Sequence, residues 1–162
     1  MISIRRQFVG QTVVYNHVRR LNRIMLQAIG FWRGPDDWSL IHPKRLVDPD
    51  WQSSDRAKIV SYLRAASPVD AYLGYSWCRF KCGIADHELG DSDLTDGIWC
   101  WPFGLAHYVE QHLVKLPDEF VAHAESADWN PPQIDEVPIN YDLTFWRSWC
   151  RKNARPWWKP SG

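Results

Sequence analysis

Cys78, Cys82, His107 and His112 have the types and spacing to do chemistry together, and that chemistry is metal binding. Three residues separate the cysteines, four separate the histidines, and twenty-four lie between the two pairs. Zinc takes four sulfur or nitrogen donors in a tetrahedron, and both gaps suit a Cys2His2 site. With all four bound, such a site is closed and structural. With three bound, the fourth position is open to water and hydrolysis becomes available. His87 and Cys100 lie close enough in sequence to replace one of the four. The competing reading is two packed thiols and two helix histidines bonded to backbone or to acids.

The elements around these residues must meet one geometric condition. On a regular helix, residues five apart point about 140° away from each other. The turn carrying His112 therefore has to loosen, and Pro117 shortly downstream favours that. Leu105, Tyr108, Val109 and Leu113 supply helical apolar spacing, with Pro102 as the first helical residue. Asp96-Gly97 is a hairpin-turn signal ahead of a strand over Ile98–Trp101. Asp91, Asp93 and Asp96 are one residue off a calcium-loop spacing and lack the closing Glu, so they read as a solvated turn. Val69–Trp77, rich in aromatics, reads as the strand leading into the cysteines.

Elsewhere, Val14, Val18, Leu21, Met25 and Ala28 recur at three- and four-residue steps, which predicts a helix from Thr12 to Gly30 with an arginine-bearing face. Residues 31–52 read as a loop pinned by Trp32, Trp38 and Trp51, with a short strand near Ser39–His42. A helix capped by Ser53 or Ser54 buries Ile59, Val60 and Leu63 and ends at Pro68. Asp118 and Glu119 after Pro117 open another helix, favoured by its dipole. From Asp128 to Asp142 the chain is extended, ordered by pairing with another segment. A last helix covers about Leu143–Asn153, and the tail to Gly162 wraps the surface or is partly disordered.

The fold class expected is α+β: a small antiparallel sheet of three to five strands packed by three to five helices, one facing the cysteine turn. Three regions divide the chain: a basic, partly helical arm over 1–34, a core over 35–142 holding the metal segment 77–120, and a Trp-rich helix and tail over 143–162. The length fits one domain, able to bury about 70% of the unfolded surface. Eleven tryptophans in 162 residues point to a compact aromatic core, or to a surface on which sugars or bases stack. No apolar run is long enough to span a bilayer and no export signal is visible, so the expected location is the cytoplasm, with reduced thiols or a metal rather than disulfides.

The net charge of zero hides a pattern. Residues 1–66 carry eleven basic and five acidic side chains, residues 67–142 three and fourteen, and residues 143–162 five and none. Either the basic ends fold back on the acidic middle, or a basic face meets an acidic partner.

Several short stretches of the metal segment occur together: Cys78-Arg79, Cys82-Gly83, Leu94-Thr95-Asp96-Gly97, Trp101-Pro102, Gly104-Leu105, His107-Tyr108-Val109, His112 and Leu116-Pro117. In this the segment resembles a group of small uncharacterised bacterial proteins that includes products of integron gene cassettes. Their pattern is a Cys-Arg-x-Cys-Gly turn, Leu-Thr-Asp-Gly, an aromatic strand, and Trp-Pro-x-Gly-Leu-x-His-Tyr-Val followed by a His and Leu-Pro. The match covers about 45 residues, and this chain has one extra residue between its cysteines. The resemblance implies one shared module and no activity.

Three functions follow for weighing. The first is a non-enzymatic binding or adaptor module held by structural zinc, with a protein or small molecule as partner. The second is a metal-dependent hydrolase with Glu88, Asp93 or Glu110 as base. No nucleophile elbow, phosphate loop, dinucleotide fingerprint or His-Glu-x-x-His helix supports it. The third is nucleic-acid binding through the arginine-rich N-terminal helix, opposed by the acidic middle and a pI near 7.0. The C-terminal tryptophans could also cross to a second copy of the chain.

Overall fold

A computed structural model describes residues 24–35, 37–52, 54–135 and 139–156. Its strands are β1 (Ile24–Ala28), β2 (Ser67–Ala71), β3 (Ser92–Thr95), β4 (Trp99–Pro102) and β5 (Ile139–Asp142). Its helices are α1 (Arg56–Ala65), α2 (Leu105–His112), α3 (Asp118–Ser126) and α4 (Thr144–Asn153). The α+β expectation holds. The five strands form one sheet in the order β2-β3-β4-β1-β5. β2, β3 and β4 make an antiparallel meander, as expected, but β1 runs parallel to both neighbours, so the sheet is mixed.

β1 corrects the helix expected up to Gly30; the part before residue 24 lies outside the described residues. Met25 is 60% exposed, whereas Leu26 and Ala28 are buried against Cys100. That is an alternation of two, which a three-residue step from Met25 to Ala28 cannot distinguish from a helix in so short a run. The slot between β4 and β5 decides the matter, because both neighbours supply backbone partners. Of the extended stretch expected from Asp128 to Asp142, Ile139–Asp142 is ordered by pairing, here with β1, whereas Asp128 and Trp129 take a left-handed turn and residues 136–138 lie outside the described residues.

Boundaries elsewhere shift for physical reasons. α1 buries Ile59, Val60, Tyr62 and Leu63 as its spacing predicts, but it stops at Ala65 and its N-cap residue is Asp55. Pro68 lies inside β2, an edge strand that tolerates its missing donor. β2 is shorter than the expected strand up to Trp77. Beyond Ala71 the chain bends and is held by Tyr72 N–H to Asp91 O at 2.6 Å and Ser76 N–H to Gly90 O at 3.0 Å. Pro102 ends β4 instead of opening α2, which has Gly104 as its N-cap residue. α3 and α4 fall where the sequence places them. No strand forms near Ser39–His42. The possible Ser53 cap and the tail beyond Pro156 lie outside the described residues.

Among the described residues six tryptophans are buried, at 32, 51, 99, 101, 146 and 149. Trp101 Nε1–H donates to Leu63 O at 3.1 Å and Trp146 Nε1–H to Phe31 O at 2.8 Å, so their polar edges are satisfied inside the core. Trp38 is 66% exposed and pins nothing; Arg33 lies over its ring instead. The acidic turn is not solvated at two of its three positions. Asp93 and Asp96 are 2% and 3% exposed. Asp96 accepts from Tyr62 Oη–H and from the amides of Ile98 and Trp99, closing the β3–β4 turn. Charged groups are buried only where such partners exist.

Candidate metal centre

Two local devices bring the four predicted ligands together. The first is the cysteine turn: Lys81 N–H donates to Cys78 O at 3.0 Å, and Lys81 takes a left-handed φ of 55°. Gly83, with φ of 89°, then lets the chain leave in a direction a side chain would disfavour. The second is the end of α2. Leu113 is left-handed (φ 54°), and its N–H bonds to Tyr108 O five residues back instead of four. The N–H of Val114 reaches the same oxygen at 3.1 Å. This widened last turn is the loosening that the five-residue spacing requires, and it swings His112 back beside His107.

The donor atoms of Cys78, Cys82, His107 and His112 all lie within 4.8 Å of one another. Cys78 Sγ is 3.2 Å from His112 Nε2 and 3.4 Å from His107 Nε2, and Cys82 Sγ is 3.5 Å from His107 Nε2. The two Nε2 atoms stand 3.1 Å apart. Zinc bonds of about 2.3 Å to sulfur and 2.0–2.1 Å to nitrogen imply tetrahedral edges of about 3.6 Å for S···N and 3.3 Å for N···N. The observed edges are close to these. Four donor atoms crowd one point, with the two imidazoles turning the same nitrogen inward. Thiolate with imidazole suits zinc. These residues could hold a metal ion.

The surroundings favour the binding forms unevenly. Burial pushes the Cys78 thiol up, opposed by the backbone amides of Phe80 and Cys82, which favour the thiolate. Without a cation, that thiolate is disfavoured. Burial lowers both His107 and His112, keeping the imidazoles neutral as metal ligands must be. Phe80 lies flat on His112, with ring centroids 4.0 Å apart and planes within 1°. Tyr108, pushed up to about 12 by burial, accepts from Arg79 N–H and donates to Trp77 O, tying the helix to the cysteine turn. The spacing argument does not single out Phe80 and Tyr108. Their signal is position: one lies between the cysteines and the other directly follows His107.

The other candidates are elsewhere. Cys100 is buried on the opposite side with Leu26 and Ala28, and the His87 ring meets Tyr75 edge-on. Neither belongs to the cluster. Of the acids considered as bases, Glu88 and Glu110 line a cleft of about 440 Å³ into which Cys82 and both histidines also face. Glu110 is held there by Arg64 of α1, at 2.7 and 3.3 Å. Asp93 is remote from this cleft, accepting from Tyr72 Oη–H at 2.6 Å. Among the described residues, no helix is long and apolar enough to cross a membrane. Comparisons with protein-family models, curated proteins and solved structures found no match.

Proposed function

We propose that this chain is a non-enzymatic binding module whose fold is stapled by structural zinc on Cys78, Cys82, His107 and His112. The observation that supports this reading is that four protein donors lie within 4.8 Å of one another; a tetrahedral ion bound by all four would have no coordination position left for an attacking water. The staple joins the Trp77–Gly83 turn to α2, two segments that no disulfide links. The absence of hydrolase motifs points the same way, and so does a cleft whose nearer acid, Glu110, is engaged by arginine. The motif shared with cassette-borne proteins is compatible with an adaptor role in the cytoplasm.

Cobalt(II) substitution tests this reading. A four-coordinate S2N2 spectrum that added water or azide leaves unchanged is expected. A five-coordinate spectrum, or one perturbed by azide, would favour the hydrolase, with Glu88 or Glu110 as base. The nucleic-acid reading rests on the arginines before residue 24 and predicts salt-sensitive retention on a polyanion column.

A further inference from the structure

A second cleft, of about 360 Å³, lies beside the Trp77–Arg79 segment and shares Tyr108 with the metal centre's supports. Its size falls in the range that holds small molecules. Trp32, Tyr72, Tyr75, Trp77 and Tyr108 contribute aromatic walls, and Asp93 lines its interior. Tyr72, Tyr75 and Trp77 are about half exposed, although nearby segments bury most of their aromatic side chains. They sit on the bent stretch after β2, held in place by backbone bonds to Gly90 and Asp91.

The charges in and around this cleft select its ligand. Asp37, Asp91 and Asp93 line it against one cation, Arg79. Asp37 is paired with Arg147 at 2.6 Å. Arg79 is also committed: its guanidinium lies 4.0 Å over the Trp77 ring and donates to Trp77 O. Burial pushes the Asp93 carboxyl up, and so does the neighbouring carboxylate of Asp70, itself bonded to Tyr141 Oη–H at 2.6 Å. Asp91 and Asp93 thus line a concave aromatic surface, one of whose rings already carries a guanidinium. Aromatic faces attract cations through their quadrupole, more strongly when desolvated. A neutral sugar would use the rings but leave this charge unanswered.

We propose that this cleft binds a small organic cation of the quaternary-ammonium type, with the charge held between the Tyr72, Tyr75 and Trp77 rings and facing Asp93. This names a ligand class for the binding-module reading and is independent of which metal forms the staple. Trp77 and Arg79 flank Cys78, so the staple fixes the wall on which the ligand would lie.

Titration calorimetry of the full chain tests it, with choline, its uncharged isostere 3,3-dimethylbutan-1-ol, and glucose as probes, each sample checked for bound zinc. The expected result is saturable choline binding, at least tenfold tighter than either neutral probe. Tyr75→Ala should weaken it tenfold or more with the unfolding temperature unchanged, and Asp93→Asn should narrow the preference over the isostere. Absence of saturable choline binding to zinc-loaded protein would overturn the proposal, as would equal or tighter binding of the isostere or of glucose. Protein that lacks zinc yet binds choline would instead count against the staple alone.

Discussion

Phe80 stands between the two cysteines in sequence and flat against His112 in space. It packs the ring of one ligand and fixes its orientation, a role comparable to that of outer-shell partners in metal sites. Phe80→Ala is therefore expected to weaken zinc affinity by about 10-fold or more, read by competition with a chromogenic chelator. Unchanged affinity would show that His112 needs no support. The histidines also set the pH response. Burial holds both below their ordinary range, so the unfolded chain binds more protons as pH falls through about 6.5. The stability that neutral imidazoles contribute is thus present above about 6.5 and lost below it. Proton competition for the ligands acts in the same direction. Thermal unfolding followed from pH 7 to pH 5 should show a falling midpoint accompanied by zinc release. A flat profile would contradict both statements.

At the scale of elements, the staple depends on where α2 is seated. Gly30, just after β1, has φ of 74°, and a Cβ there would come within 2.6 Å of Leu105, the first residue of α2. Gly30→Ala combines backbone strain with overpacking and should cost about 2–4 kcal/mol in denaturant unfolding. A cost below about 0.5 kcal/mol would mean that Leu105 moves aside freely. The Arg64–Glu110 pair between α1 and α2 is exposed on both sides, so Arg64→Ala should cost no more than about 1 kcal/mol in the same assay, despite its short contacts. The four residues of the cluster are legible in the sequence because a zinc site would demand paired donors at restricted gaps, and the His107–His112 spacing even predicts the distorted helix end. β1 is not legible, because Met25, Leu26 and Ala28 fit both periods and the choice depends on β4 and β5, far along the chain. The burial of Asp93 and Asp96 is hidden for a related reason: their partners, Tyr72 and Tyr62, lie in β2's extension and in α1.

Across the whole molecule, the tryptophan-rich core and the metal centre divide the work. Trp101, Trp146, Tyr62 and Phe120 are fully buried and join α1, α3, α4 and the sheet. The Trp77–Gly83 turn lies at the margin of this core: Cys78 is buried in it and Phe80 packs against it, but Cys82 is exposed. On the zinc reading the ion would supply there what packing does not, since binding energy at a site absent from the unfolded chain is folding energy. Elemental analysis of untagged full-length protein, paired with thermal unfolding and repeated on Cys82→Ser, tests that claim most directly. One zinc per chain is expected, lost in the variant together with about 10 °C or more of unfolding temperature. Protein that folds without zinc, or a variant that loses zinc and keeps its unfolding temperature, would contradict it.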